Sequence, residues 1–314
     1  MVRNRNGLAK EIMASLEAKG YRACIVSAQQ IDDLRVDFEK HYQQNMFDPE
    51  FYQERLARFK FDPYDILPEV NSAIIVAVPQ PQIRVTFAWQ KKRVPLIVPP
   101  TYLFGQETDK AVEDFMKAFL MLKGYQIVRA VLPLKLLAAY SGLAKYGKNN
   151  ISYVSEMGSF HRLVAFYSDL PSEGDKWQKP QVLDSCATCF ACLRKCPTGA
   201  ITSERFLLHA ERCLTFLNEK PGNIPFPNWV DQSWHNCLVG CLHCQKACPE
   251  NKKFLQWVDQ GVEFSEEETG MFLKGVALNQ LPAPTRTRLK NYDLLDYLDL
   301  FPRNLGVFFK AELE

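Results

Sequence analysis

The placement of cysteine constrains this chain more than any other feature of its sequence. Nine of its ten cysteines lie between Cys186 and Cys248, and Cys24 stands apart in a strand-like run. Disulfide frameworks are typical of short secreted chains, whereas this chain has 314 residues and begins without the apolar core of a secretion signal. The clustering therefore predicts metal ligation, and Cys24 is interpreted as a buried structural thiol.

Two cysteine runs, each closed by a Cys-Pro pair, define the predicted metal sites. The first run, CATCFACLRKCP (186–197), has the spacing of the bacterial ferredoxin run that ligates [4Fe–4S] clusters. In that spacing three thiolates bind one cubane, and the fourth binds the other cluster. The second run, CLVGCLHCQKACP (237–249), keeps the spacing of its last three cysteines, but its first cysteine lies one residue early.

The spacing leaves two alternatives open. Either Cys237 or Cys213, which lies in an intervening helical segment, completes the second cluster. Structural zinc is the alternative metal, because Cys-x-x-Cys pairs also bind zinc tetrahedrally. Since both runs are complete and end in Cys-Pro, we predict two [4Fe–4S] clusters that transfer single electrons.

The remaining segments predict an α+β protein in three parts. Residues 1–175 alternate helical and strand-like patterns and form the predicted α/β domain for cofactor and substrate. Residues 176–255 form a predicted ferredoxin-like module with two clusters, and residues 256–314 a predicted helical extension that packs on the core. In the first domain the predicted helices are one carrying Leu8, Ile12 and Leu16, others near Asp32 and Phe51, Thr108–Lys123, and one opened by Pro133. The predicted extended segments are Tyr21–Ser27, Asn71–Val78, Arg84–Trp89, Tyr125–Val131, and a pair formed by Asn150–Ser155 and Arg162–Ser168.

Charge and hydropathy argue against several broad classes. Lys plus Arg number 38 and Asp plus Glu 36, so no global field attracts nucleic acid or an anionic membrane. No apolar run approaches the roughly 20 residues of a membrane span, and no nucleotide-binding glycine motif names a cofactor. We therefore expect a cytoplasmic protein with no membrane partner. Its expected partners are a low-potential electron donor, such as ferredoxin or flavodoxin, and a small-molecule or modified substrate.

Several segments resemble a known family. They are SGLAKYGKNNISYVSEMGSFHRL (141–163), the first cysteine run, ERCLTFLNEK (211–220) and GCLHCQKACPEN (240–251). These segments resemble epoxyqueuosine reductases and, more distantly, reductive dehalogenases, which are cobalamin-dependent iron–sulfur enzymes. ILPEVNSAIIVAVPQP (66–81) looks like the family's first core strand, so the resemblance covers most of residues 60–255.

The resemblance implies a fold and a set of ligands. It implies an N-terminal α/β, nitroreductase-like domain that binds base-off cobalamin, followed by the ferredoxin-like module. It assigns one cluster to Cys186, Cys189, Cys192 and Cys248, and the other to Cys196, Cys213, Cys241 and Cys244. It assigns the cobalamin contacts to Tyr146, Gly147, Lys148, Asn149, Gly158 and Ser159.

Two departures from the family make a tRNA substrate doubtful. The family's proton-donating aspartate has no counterpart, because no acidic residue occurs between Asp114 and Glu156. The helical-repeat extension that helps those enzymes hold tRNA is also expected to be absent. A tyrosine could supply the proton instead. Tyr102 is the first candidate, because its segment resembles one that carries a family tyrosine, and the others are Tyr140, Tyr146 and Tyr153.

Three functional hypotheses follow. The leading one is a corrinoid-dependent iron–sulfur oxidoreductase, in which two clusters pass electrons to cobalamin for reduction of an unidentified substrate. The second is an electron-transfer or reductive-activation partner of another corrinoid protein. The third is an epoxyqueuosine reductase that acts on tRNA.

Overall fold

The structure is a computed structural model, and it describes residues 7–172 and 176–309. Residues 1–6 and 173–175 of the predicted first domain, and residues 310–314 of the predicted helical extension, lie outside the described residues. The strands are β1 (Arg22–Ser27), β2 (Ser72–Pro79), β3 (Gln82–Trp89), β4 (Lys92–Val98), β5 (Ile127–Arg129), β6 (Ala144–Tyr146), β7 (Ser152–Val154), β8 (His161–Ser168) and β9 (Val258–Phe264). The helices are α1 (Leu8–Glu17), α2 (Ile31–Gln43), α3 (Pro49–Phe51), α4 (Gly105–Met121), α5 (Leu134–Tyr140), α6 (Ala191–Lys195), α7 (Leu214–Asn218), α8 (His243–Lys246), α9 (Glu266–Leu273), α10 (Ala283–Asn291) and α11 (Phe301–Phe309). Within the described ranges, no helix combines the length and apolar character needed to cross a bilayer.

The described residues form two compact units. The first unit contains the residues up to Gln80, Gly105–Phe190 and Arg205–Leu207. The second unit contains Pro81–Phe104, Ala191–Glu204 and the residues from Leu208 onward. The domain limits at residues 175 and 255 stay a prediction.

A four-stranded antiparallel sheet, in the order β1-β2-β8-β5, forms the centre of the first unit. Strand β2 is an almost continuous apolar run, SAIIVAVP, and is buried along nearly its whole length. Such a run requires cover on both faces of the sheet. Ile74 and Val76 pack in a cluster with residues of α1 and α4, and Ile75 packs in another with residues of α2 and α5. The first unit is therefore a sheet with helices on both faces.

Most predicted elements of the first unit are confirmed. Leu8, Ile12 and Leu16 are the buried residues of α1, as their helical spacing predicts. Helix α4 ends before Gly124, which has a φ of +78° as expected of a glycine after a helix.

One predicted strand pairing is wrong. Strand β7 pairs with β6, whereas β8 lies between β2 and β5. A turn in which the Val154 amide donates to the Gly158 carbonyl separates β7 from β8. The eight residues of β8 include a buried apolar stretch that fits the interior of the large sheet, whereas β7 has only three residues. The sequence pattern predicted β7 and β8 as strands, but it did not predict which strands pair with them.

The second unit contains a three-stranded sheet in the order β4-β3-β9. Strands β3 and β4 are antiparallel, and β3 and β9 are parallel. The predicted helical extension, residues 256–314, also contains strand β9. Sequence reasoning missed this strand because its polar sequence, VDQGVEF, lacks an apolar strand pattern. The helical prediction for the segment that begins FSEEETG is confirmed by α9.

Four phenylalanines form the centre of the second unit's core. Phe87 of β3 stacks on Phe264 of β9 with ring centroids 5.4 Å apart. Phe272 of α9 meets Phe264 edge-on at 4.9 Å and Phe301 of α11 at 5.3 Å. Edge-to-face pairs at such distances add to the stability gained from burial alone. Phe272 therefore links both strands to the C-terminal helices.

We expect Phe272→Ala to lower the free energy of unfolding by about 3–5 kcal/mol, because it removes a fully buried ring and leaves a cavity. Urea unfolding followed by circular dichroism measures the change. Leu278→Ala is the control, since Leu278 is 41% exposed and its truncation should cost less than about 0.5 kcal/mol. Equal destabilisation by the two variants would contradict the prediction.

Candidate iron–sulfur centre

Short helical turns position the cysteines of the first run. Cys186 ends the 3-10 turn Asp184–Cys186, and Cys192 lies on α6. Cys196 follows α6, and its amide donates to the Cys192 carbonyl at 3.0 Å. Pro197 comes next and lacks the amide hydrogen that would continue the helix. Cys196 therefore lies at the end of a short helix that does not continue past it.

Cys244 lies close enough to several cysteines of the second unit for them to affect its ionisation. Cys196, Cys213 and Cys241 all raise the pKa of Cys244 in addition to its burial, which is the largest cause. Burial likewise raises the pKa of Cys241 to about 11, with smaller contributions from Cys213 and Cys196. Cys192 also influences Cys244. Because buried thiolates repel one another, this group can ionise only where positive charge compensates it, and the iron of a [4Fe–4S] cluster supplies that charge. The donor set fits such a cluster.

Cys237 has a different environment. It is 1% exposed, and its thiol donates to the Asn236 side-chain oxygen at 2.8 Å. Burial raises the pKa of Cys237 well above its usual value, and Cys241 is the described cysteine that adds to this effect. A neutral thiol that donates a hydrogen bond is not acting as a thiolate ligand. These contacts favour Cys213 as the fourth ligand, and the ligand assignment stays a proposal.

The structure describes no group of three or more His, Cys, Asp or Glu side chains arranged to hold a single metal ion. In a [4Fe–4S] cluster each of four thiolates binds a different iron atom, so the ligand sulfurs need not meet at one point.

The predicted cobalamin contacts Tyr146, Gly147, Lys148 and Asn149 lie at the connection from β6 to β7. The Gly147 amide donates to the Ile151 carbonyl at 2.9 Å. A Cβ atom on Gly147 would collide with the Asn149 side-chain oxygen and lie 2.7 Å from the Tyr153 ring. Asn149 is 2% exposed and donates to the Tyr153 hydroxyl at 2.9 Å. These side chains therefore stabilise a tight turn.

Lys148 contacts the loop that carries the first cysteines. Its ammonium donates to the backbone carbonyls of Ala187 and Cys189, each at 3.3 Å. It also lies 4.1 Å from the ring centroid of Phe190, a cation–π distance. Lys148 therefore places a positive charge beside the first cysteine run, a role that sequence reasoning missed.

His161 fixes the turn that contains the other two predicted cobalamin contacts, Gly158 and Ser159. Its Nδ1 donates to the Gly158 carbonyl at 3.1 Å, so its Nε2 accepts from the Ser152 hydroxyl at 3.2 Å. Burial lowers the pKa of His161 to about 4. The ring is therefore neutral near pH 7.

Tyr102, the candidate proton donor, lies in the second unit, and its hydroxyl donates to the Glu219 carboxylate. Its ring approaches Gly240 so closely that a Cβ there would lie 2.8 Å from Cζ. Burial raises the pKa of Tyr102 well above its usual value, and Glu219 and Cys213 raise it further. The phenol is thus a neighbour of the cysteine group. Sequence reasoning missed Glu219, although the segment that contains it carries the family resemblance.

Comparisons with known proteins agree with this site. The family described as "4Fe-4S double cluster binding domain" matches residues 185–251. The chain is 34% identical to the epoxyqueuosine reductase of Burkholderia pseudomallei over 122 residues, and 28% identical to that of Escherichia coli over 211. These matches cover 37% and 64% of this chain, and 29% and 54% of the relatives, so the chain spans between about a third and a half of their lengths.

Solved structures share the fold. One is epoxyqueuosine reductase from Bacillus subtilis, described with its catalytic aspartate loop swung out of the active site. This structure has a TM-score of 0.65 at 21% identity. The match covers 97% of this chain and 81% of the Bacillus subtilis chain. Another, with a stem loop of epoxyqueuosine-modified tRNA-Tyr, has a TM-score of 0.65 at 20% identity and the same coverage.

The fold and the cysteine domain define an α+β protein that binds two [4Fe–4S] clusters. The resemblance to epoxyqueuosine reductases is confirmed in both sequence and fold.

We expect Cys213→Ser to lose about four of about eight iron atoms, because it removes one ligand of the second cluster. Cys237→Ser should keep all of them, since a serine hydroxyl can also donate to Asn236. Iron and acid-labile sulfide in anaerobically purified protein measure the result. Loss of about four iron atoms in the Cys237 variant alone would reverse the assignment.

The buried His161 should make the protein less stable in mild acid. Its pKa is lower in the folded chain than the usual 6.5, so the unfolded chain binds more protons between pH 6.5 and about 4. The free energy of unfolding should therefore fall by about 3 kcal/mol as the pH drops through that window. His161→Gln should remove this part of the pH dependence, whereas the matched variant His209→Gln should retain it. Identical pH profiles for the two variants would contradict the prediction.

Proposed function

We propose that the protein is an iron–sulfur oxidoreductase. A low-potential donor, such as ferredoxin or flavodoxin, delivers electrons to the two clusters, which transfer them singly toward a substrate. The double-cluster domain at residues 185–251 carries this proposal. The proposed ligands are Cys186, Cys189, Cys192 and Cys248 for one cluster, and Cys196, Cys213, Cys241 and Cys244 for the other. The proximity of the second set of thiols supports its assignment, because the other three all raise the pKa of Cys244.

Cobalamin is the proposed electron acceptor, as the resemblance to cobalamin-dependent enzymes implies. When bound, it supplies a cobalt centre that can be reduced to a nucleophile. The side chains of Lys148 and Asn149 make hydrogen bonds within the protein. These residues would therefore contribute backbone groups and the shape of the turn to a cobalamin site, rather than free polar side chains. Two cavities among the described residues, of about 490 and 560 Å³, have linings that include none of the six predicted contacts. The proposal of cobalamin therefore depends on the family resemblance.

A modified tRNA nucleoside is the substrate that the comparisons favour. The curated relatives are named epoxyqueuosine reductases, and a solved neighbour with the same fold holds an epoxyqueuosine-modified tRNA stem loop. These similarities support the third hypothesis better than the leading one, which left the substrate unidentified. We therefore propose reduction of epoxyqueuosine in tRNA as the activity.

Proton delivery separates this chain from its relatives. The stretch between Asp114 and Glu156 lacks an acid, so a different group must protonate the substrate. We propose Tyr102, whose hydroxyl is hydrogen-bonded to Glu219. Since its pKa is raised, the phenol stays protonated near pH 7 and can release its proton only to a strongly basic atom. The same missing acid favours the second candidate function, reductive activation of another corrinoid protein.

The activity is tested with tRNA from a strain that accumulates epoxyqueuosine. Reconstituted protein with cobalamin and dithionite should convert it to queuosine, as measured by nucleoside mass spectrometry. Tyr102→Phe should lower the rate at least about 100-fold if the phenol is the general acid. Tyr42→Phe is the matched control and should retain the rate, because Tyr42 is 50% exposed and belongs to none of the proposed sites. Tight cobalamin binding without conversion would favour the activation partner, and loss of conversion in the control alone would contradict the assignment of Tyr102.

A further inference from the structure

Asn236 connects two cysteines that have different roles. Its side-chain oxygen accepts a hydrogen bond from the Leu242 backbone amide at 3.0 Å and one from the Cys237 thiol at 2.8 Å. Its side-chain nitrogen lies 3.5 Å from the sulfur of Cys241. The side chain therefore bridges the buried thiol of Cys237 and a proposed cluster ligand.

The backbone determines which way the Asn236 amide faces. A backbone amide can only donate, so the atom that Leu242 contacts must be the oxygen. The Cys237 thiol donates to the same oxygen and holds it from a second direction. The nitrogen must then face Cys241, and its N–H group points toward the sulfur. This orientation follows from an obligatory donor rather than from an arbitrary choice between oxygen and nitrogen.

We propose that Asn236, oriented by Cys237, is a positioning residue that raises the reduction potential of the cluster held by Cys196, Cys213, Cys241 and Cys244. This inference rests on the proposed function, because it takes Cys241 as a ligand. Reduction adds one electron to the cluster and breaks no bond. The electron increases the negative charge on the sulfurs, so an N–H donor to one of them stabilises the reduced state more than the oxidised state.

The same contacts explain why the second run begins one residue early. In a symmetric two-cluster ferredoxin the first cysteine of that run would be a ligand and would occupy the position of Leu238. Here Cys237 is adjacent to Asn236 and donates to its oxygen, and its burial favours the neutral thiol that can do so. Cys213 is the proposed ligand in its place. The hydrogen bond to Asn236 thus gives Cys237 a structural role at its shifted position, and this role does not involve binding iron.

Asn236→Asp is the sharpest variant, because a carboxylate keeps both hydrogen bonds to the oxygen but replaces the N–H donor with a negative oxygen. We expect the equilibrium constant for one-electron reduction of one cluster to fall at least tenfold, which corresponds to about 59 mV. Cys237→Ala should shift the same cluster in the same direction by a smaller amount, since the amide loses one of its two anchors. Cys237→Ser should match the unmodified protein.

The measurement is an anaerobic redox titration with dithionite and mediators, followed by paramagnetic resonance of both clusters. Asn228→Asp is the matched control, because it adds the same charge at an exposed position of the same unit. It should leave both potentials unchanged. Each variant is first shown to contain full iron. Unchanged potentials in both Asn236→Asp and Cys237→Ala would overturn the inference, and if the first variant fails to bind iron, unchanged potentials in Cys237→Ala alone would overturn it.

Cys241→Ser separates this inference from the proposed function. Loss of about four iron atoms in this variant supports Cys241 as a ligand, and the potentials then decide the role of Asn236 alone. Retention of all iron would remove Cys241 from the ligand set and overturn the inference with it. The double-cluster domain would still stand in that case.

Discussion

Negative charge on buried thiols is the interaction on which the rest of this protein depends. Burial raises the pKa of Cys213, Cys241 and Cys244, Cys213 raises that of Cys241 further, and both Cys213 and Cys241 add to that of Cys244. Without a compensating charge these thiols would stay protonated. No favourable interaction between them would then stabilise the packing of the short loops that carry them. Iron changes this balance, because metal binding and folding of the cysteine segments then stabilise each other. Short helices such as α6 and α8 are sufficient in such a module, since ligation replaces much of the apolar core that longer helices would provide.

Polar side chains also hold the loops around the cysteines in place. Lys148 holds two carbonyls of the first run, and Asn236 holds Cys237 and faces Cys241. The Lys148 ammonium carries a positive charge, and the Asn236 side-chain nitrogen directs the positive end of an N–H bond. Each lies beside a loop that carries proposed thiolate ligands. Such partners can tune a cluster without contacting its iron, because the potential responds to hydrogen bonds and charge near the sulfurs. Under the proposed ligand assignment, Lys148 and Asn236 would each adjust a different cluster.

Sequence reasoning succeeded where local pattern determines structure. The helical spacing of Leu8, Ile12 and Leu16 and the apolar run of β2 each required a particular environment, and the fold provides it. It failed at β9, whose polar sequence becomes a strand only because β3 offers a parallel edge. Cysteine spacing alone left Cys213 and Cys237 as alternatives, since the choice depends on contacts made after folding. Asn236 could not be identified for the same reason.

The missing acid has a physical consequence for any activity of this fold. A carboxylic acid near an active site is a stronger proton donor than a phenol by several pKa units, so the phenol proposed here, Tyr102, would change either the rate or the substrate. In this protein Tyr102 donates to Glu219, and that carboxylate holds the phenolic proton more tightly. A substrate that becomes strongly basic on reduction would still take the proton, because the driving force then lies in the acceptor. As the proposed donor, the Tyr102–Glu219 pair would therefore suit protonation of an atom that becomes strongly basic as the substrate is reduced.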